Sequence, residues 1–147
     1  MTPDPRQFAT FHVADLFFGV DVPHVQEVLP LQQITPVPQA PDTVEGLINL
    51  RGQIVIALDM RRRLRLPPRA GDRIPMNIVI RAEDGPVSLL VDDIGDVLDV
   101  GAAAFEALPA GLDAWARDLI RGVYKLKDRL LLILDADRVA DLISGET

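Results

Sequence analysis

Three aspartates, Asp92, Asp93 and Asp96, form the densest cluster of chemistry-bearing side chains in the chain. Clustered carboxylates suit a hard divalent cation, which takes about six or more oxygen ligands, or general acid–base work on a bound substrate. Neither use is well supplied here. The spacing lacks a glycine-centred calcium loop, and the only histidines, His12 and His24, lie far off in sequence. A serine–histidine dyad has little to draw on. There are no cysteines, which removes thiol catalysis, disulfides and cysteine metal sites. The expectation is no catalytic residue, no metal and no cofactor, with Asp92 capping a strand end. A small β-barrel with a carboxylate metal site or an enzymatic activity at Asp92, Asp93 and Asp96 is the alternative reading.

Arg51 is the second chemical feature. The stretch Glu45–Met60 reads as two apolar strands joined by a tight turn, with Arg51 set against Gly52 at the bend. Arginine is enriched among interface anchors, and a charge at the tip of an apolar hairpin suits the grip of another protein. The competing reading is a structural arginine that caps the turn by donating to carbonyls. Gly46 and Gly52 read as backbone necessities, at positions that need positive φ or close approach. Glu27 is either a solvated acid or part of a partner-facing groove. The run Arg61-Arg-Arg-Leu-Arg65 reads as a solvated helix face following Asp59.

These residues need elements to hold them. Ala9, Phe11 and Val13 alternate with Thr10 and His12, and Leu16, Phe18, Val20 and Val22 alternate again after Ala14-Asp15, which predicts a hairpin. A short helix is expected over Val22–Leu29, with Pro23 in its first turn and Val22, Val25 and Leu29 on one face. Pro30, Pro36, Pro38 and Pro41 make 30–43 an extended connector. After the Gly46–Met60 hairpin a helical turn is expected over 60–65, then a linker at Pro67, Pro68 and Gly71. Ile74–Arg81 and Val87–Val91 form a hairpin about Asp84-Gly85, and Ile94–Val100 a further strand. Residues 101–118 carry no clear pattern. Leu119–Leu126 and Arg129–Leu134 form a last hairpin. A final helix is capped by Asp135, buries Val139, Leu142 and Ile143, and ends at Gly145.

The hairpin pattern occurs twice. Gly46, Leu50, Arg51 and Asp59 fall on Gly122, Leu126, Lys127 and Asp135 at one constant offset, and Val25-Gln-Glu-Val-Leu29 falls on Ile94-Gly-Asp-Val-Leu98 at another. Two copies fit two similar lobes that share one core, with lobe one over about 14–66 and lobe two over about 72–144, the N-terminal strand at 7–13 being a candidate further strand of lobe two. The many short strands imply barrels or a sandwich.

A chain of 147 residues is one domain by length. Its 48% apolar content is ample for a core, and with aromatics at 5% that core is expected to be aliphatic. The net charge of −7 disfavours nucleic acid and anionic lipid as partners. The first residues lack the basic and apolar regions of a secretory signal, and the apolar runs are too short to span a bilayer. A cytoplasmic protein is expected, with no direct membrane insertion.

Taken together, Val25-Gln-Glu-Val-Leu29, Pro41, Gly46-Leu-Ile-Asn-Leu-Arg-Gly52, Leu58-Asp-Met-Arg61, Leu90-Val-Asp92, Asp96-Val-Leu98 and Gly122 resemble the CheW family of chemotaxis coupling proteins over about residues 7–144. The resemblance implies an all-β fold with short helices: two five-stranded SH3-like β-barrel lobes sharing one apolar core, and a C-terminal helix. It implies a non-catalytic adaptor that couples chemoreceptor cytoplasmic tips to the regulatory domain of a CheA-type histidine kinase. The partner-binding residues it implies are Arg51, Glu27, Val25, Val97 and Asn49, with Gly46 and Gly52 forming turns. The chain departs from many relatives at Ile56, where they carry a proline, and this is expected to alter edge behaviour more than fold.

Overall fold

The computed structural model describes residues 7–71, 73–101, 103–108 and 114–144, and within helices and strands it leaves aside the side chains of 104, 114–116 and 141–144. Alternation sets the first hairpin as expected: β1 (Gln7–Val13) pairs with β2 (Leu16–Asp21) about the turn Ala14-Asp15. There follow β3 (Val25–Pro30), β4 (Val44–Leu50), β5 (Gln53–Asp59), α1 (Met60–Arg63), β6 (Met76–Ala82), β7 (Gly85–Val91) and β8 (Asp93–Asp99). The chain continues through β9 (Ala104–Glu106), α2 (Ala114–Leu119), β10 (Ile120–Lys125), β11 (Leu130–Leu134) and α3 (Ala136–Ser144).

The helix expected over Val22–Leu29 is instead one 3-10 turn, Val22–His24, followed by β3. Pro23 does open that turn. Beyond it, β3 pairs with β6 through a register shift between Val25 and Glu27. The shift breaks strict alternation, so the spacing of Val22, Val25 and Leu29 imitates a helical period. The ladder to β6 satisfies more backbone groups than one isolated helical turn would.

Two sheets result, one of five strands in the order β3-β6-β7-β5-β4 and one of six in the order β8-β1-β2-β11-β10-β9. They share one plan. In each, a hairpin joins in parallel to the second strand of another hairpin: Ile56 lies opposite Val87, and Leu132 opposite Phe18. Gly46 and Gly122 both follow a register shift in the first strand of their hairpins. Next to each, Leu47 bridges to Thr35 and Val123 pairs with Glu106 of the short β9.

The strand at 7–13 does fall with the later strands, but the other lobe boundaries differ from those expected at 14–66 and 72–144. The five-stranded sheet is built from residues 25–91, and the six-stranded sheet from 7–21 together with 93–134. Each half of the sequence lends one hairpin to the other half's sheet: β1–β2 join β8 and β11, and β6–β7 join β3 and β5. Pro67, Pro68 and Gly71 are exposed, yet they connect α1 to β6 and do not separate the sheets. The physical reason is the parallel pairing, which needs a long crossover and so takes its partner strand from the other repeat.

The main core lies between the sheets. Phe11, Val13, Phe18 and Val20 of one meet Leu58, Ile78, Ile80, Leu89 and Val91 of the other, with Met60, Leu64, Leu119 and Val139 sealing its ends. Its centre is not purely aliphatic: Phe11 and Phe18 stack with ring centroids 5.4 Å apart. Scarce aromatics are concentrated in β1 and β2. The cap on α3 forms as expected, with Asp135 Oδ1 accepting from the Arg138 amide at 3.2 Å. Val139 is buried, while the side chains of Leu142 and Ile143, and Gly145, lie outside the described residues.

Candidate partner-binding site

The β4–β5 connection has two residues, with Leu50 facing Gln53 across it. Arg51 and Gly52 both take positive φ, 54° and 88°. Two left-handed residues make the hairpin turn whose twist suits a β-ribbon. Gly52 adopts this freely, whereas Arg51 carries a strain of about 1–2 kcal/mol. Local hydrogen bonding offsets it: Asn49 Oδ1 accepts from the Gly52 amide at 2.8 Å. Asn49, read from sequence as a partner contact, is therefore also the brace of the turn.

The Arg51 guanidinium donates to both oxygens of Glu27, Nη1 to Oε2 at 2.5 Å and Nη2 to Oε1 at 2.6 Å. This is the bidentate geometry that planar arginine offers and lysine does not. Glu27 is on β3 and Arg51 at the β4–β5 tip, at opposite edges of the five-stranded sheet. The pair therefore bridges those edges. Glu27 is mostly shielded, at 18% side-chain exposure, while Arg51 is 70% exposed and presents its outer face to solvent. The Arg51 hydrogen bonds hold the Glu27 carboxyl below its ordinary range, and Glu27 in turn raises Arg51. The carbonyl cap expected as one role for Arg51 is replaced by the bond to Glu27, while its exposed outer face leaves a partner contact open to it.

Two apolar side chains of these strands are exposed: Ile54, opposite Asn49 in the hairpin, at 62%, and Val28, which follows Glu27 in β3 and so points to the other face of that strand. Sequence reasoning missed both; the signal was an isoleucine next to a two-residue turn, where alternation was already broken by the bend. Val25 does not join this surface. It is half-buried and packs against the main core opposite Ile80. Val97 is exposed, but on β8 of the other sheet. Ile56 is flanked by β4 and β7, opposite Leu47 and Val87, so it is an interior-strand residue and no edge effect arises from it.

Gly46 is a steric requirement. Its φ is 154°, and a Cβ there would lie 2.3 Å from the Thr35 carbonyl oxygen. The close approach permits the paired hydrogen bonds between Thr35 and Leu47, both 2.8 Å. Gly52 has open space around it and is required by conformation alone.

The aspartate cluster disperses. Asp92 points inward with 3% side-chain exposure. Its carboxylate accepts from Arg61 Nη2 at 2.6 Å, Arg61 Nε at 3.0 Å, Arg69 Nε at 2.8 Å and the Ala14 amide at 2.7 Å. Burial pushes its pKa up, but the hydrogen bonds from Arg61, Ala14 and Arg69 outweigh this and hold the carboxyl well below the usual range. Asp93 is exposed and pairs with Arg73 at 2.9 Å. Asp96 is exposed on β8, where its carbonyl accepts from Thr10 Oγ1 at 2.6 Å. The acceptor capacity of Asp92 is taken and the other two face elsewhere, so the metal or enzymatic alternative has no convergent oxygens to rest on. Asp92 does brace a strand junction as expected, through Ala14.

Arg61 does not belong to a solvated face. It is 15% exposed, bound to Asp92, and donates to the Pro67 carbonyl at 2.8 Å. Arg62 pairs with Glu45 at 3.2 Å and approaches Asp59 at 3.6 Å. Asp59 caps α1 by accepting from the Arg61 amide at 3.0 Å. Nothing local in sequence marked Arg61 and Arg69, because their partner lies far along the chain.

The family model for the CheW-like domain matches residues 7–144. The chain belongs to the CheW-like family. Among curated relatives, the chemotaxis protein CheW of Bacillus subtilis is 32% identical, with 97% of this chain and 91% of that one covered. The chemotaxis protein CheW of Rhizobium meliloti is 30% identical, with 95% and 90% covered. The crystal structure of the scaffolding protein TtCheW from Thermoanaerobacter tengcongensis superposes with a TM-score of 0.82 at 25% identity, covering 91% of each chain. The CheW-like fold accounts for the two sheets, for the shared core and for the matched Gly46–Gly52 hairpin. Its two-lobed SH3-like description is consistent with the sheets found here, with β9 as an extra short strand.

Proposed function

We propose that this CheW-like chain is a non-catalytic adaptor of a chemosensory system, working in the cytoplasm, which couples chemoreceptor signalling tips to the regulatory domain of a CheA-type histidine kinase. Its relatives are chemotaxis proteins, and the solved neighbour is a scaffolding protein. The observation that carries the reading is the Arg51–Glu27 pair. A bidentate pair at the rim of a sheet, with Ile54 exposed on the same hairpin as Arg51, offers a rigid charged point near apolar surface. Arginine is among the residues enriched at interface hot spots. Glu27, Arg51 and Asn49 are read as one surface, and Val97 as part of a second on the other sheet. No helix among the described residues is long and apolar enough to cross a membrane.

An adaptor transmits a signal only by contacting two partner states differently. The test is binding of purified kinase regulatory domain and of receptor tip fragments. Arg51→Ala should weaken at least one of them about tenfold or more, as for an anchor residue. The exchange Glu27→Arg with Arg51→Glu should restore the bridge between edges but not the surface charge pattern. Normal binding by Arg51→Ala would refute the assignment of this surface.

A further inference from the structure

We propose that Asp92 is a positioning residue that fixes the five-stranded sheet against the six-stranded sheet, and so sets the angle between the faces the two sheets present. Asp92 sits at the crossing, between the last residue of β7 and the first of β8, strands of different sheets. Its side chain gathers groups from both. Arg61 comes from α1, directly after β5 of the five-stranded sheet, and Ala14 from the β1–β2 turn of the six-stranded sheet. Arg69 comes from the connecting segment. The Asp92 backbone amide adds a bond to the His12 carbonyl at 2.9 Å. Ala14 is held at φ 54°, a conformation an alanine keeps only when its surroundings impose it.

The opposite junction repeats this at lower strength. The Glu83 amide, in the β6–β7 turn of the five-stranded sheet, donates to Asp137 Oδ1 at 2.7 Å, on α3 after β11 of the six-stranded sheet. In both places a hairpin turn of one sheet is clasped by a carboxylate, at Asp137 from the far sheet and at Asp92 from the crossing point itself. Only the Asp92 clasp is buried and backed by two guanidinium groups; Asp137 is exposed. Apolar packing between the sheets is non-directional and tolerates small sliding. The charged, bidentate clasp is directional and defines one register. Its functional consequence rests on the adaptor reading; its geometry does not.

The chain has no cysteine, so two exposed hairpin positions, Gln53→Cys and Asp128→Cys, can carry spin labels, one on each sheet. The native background should give a narrow inter-label distance distribution by pulsed dipolar spectroscopy. Asp92→Asn should broaden or shift it, and Arg69→Gln should do so to a smaller extent, while Asp137→Asn leaves it near native. In binding assays each separate partner should keep its affinity within about twofold. Receptor control of the kinase in the reconstituted three-part assembly should fall by about tenfold or more. An unchanged distribution in folded Asp92→Asn overturns the proposal. So does a broadened distribution with normal receptor control. If Asp92→Asn does not fold, Arg69→Gln decides by the same criteria. If the native chain binds neither partner, the adaptor reading fails and the distance measurement alone judges the joint.

Discussion

Replacing Arg61 by Met tests whether the Asp92 cluster is structural. The native contact is short and two-pronged, 2.6 Å and 3.0 Å, between a guanidinium 15% exposed and a carboxylate 3% exposed. Removing one partner of a buried pair costs about 3–5 kcal/mol. Arg69 at 2.8 Å and the Ala14 amide at 2.7 Å remain on Asp92, and Met keeps much of the stem's packing, so the lower end applies. A loss of about 3 kcal/mol is expected, against a total stability of about 5–15 kcal/mol. At about 2–4 °C per kcal/mol for a chain of this size, the melting temperature should fall by about 6–12 °C. The pH dependence carries a definite sign. The folded-state pKa of Asp92 is lowered, so its contribution is fully present above its unfolded value of about 3.9 and is lost as pH falls below that toward the folded value. Without Arg61 the lowering is weaker. The deficit between native and variant should therefore be largest above about pH 5 and shrink on acidification. Urea denaturation of both proteins across pH, compared at equal m value, reads this directly. A deficit under about 1 kcal/mol at pH 7, or one that grows as pH falls, would refute the reasoning.

Other expectations follow from the same geometry. Gly46→Ala should cost about 3 kcal/mol, since its Cβ meets backbone at Thr35 and endangers two hydrogen bonds; Gly122→Ala should cost less, about 2 kcal/mol, because its nearest obstacle is the ring of exposed Phe105, with the Glu106 carbonyl oxygen next at 2.9 Å. Equal losses in denaturation would count against the steric account. Cleavage at a protease site placed between Ala70 and Gly71 should leave the two pieces associated and melting in one transition, because each sheet contains strands of both; separation on size exclusion would contradict the exchanged hairpins. Calcium or magnesium should not raise the melting temperature, because Asp92 is saturated by arginines and Asp93 is paired with Arg73; a rise abolished by Asp93→Asn with Asp96→Asn would restore the metal alternative.

The sequence by itself determined what acts over a few residues. Alternation placed β1 and β2 about Ala14-Asp15, and the Arg51-Gly52 pair marked a two-residue turn. Asp135 announced the start of α3, and the doubled pattern around Gly46 and Gly122 foretold two related hairpins. Periodicity, turn chemistry and capping are local, so local letters suffice. It failed at β3, where a bulge gave strand residues a helical spacing, and at the lobe boundary, which was drawn at the exposed 67–71 segment. It also failed to join Arg51 to Glu27, or Arg61 and Arg69 to Asp92. The tertiary structure decided those points: which hairpin completes which sheet, which carboxylate faces inward, and which arginine reaches it. Such choices depend on burying one shared apolar surface between the sheets, and that burial is a property of the whole chain rather than of any segment of it.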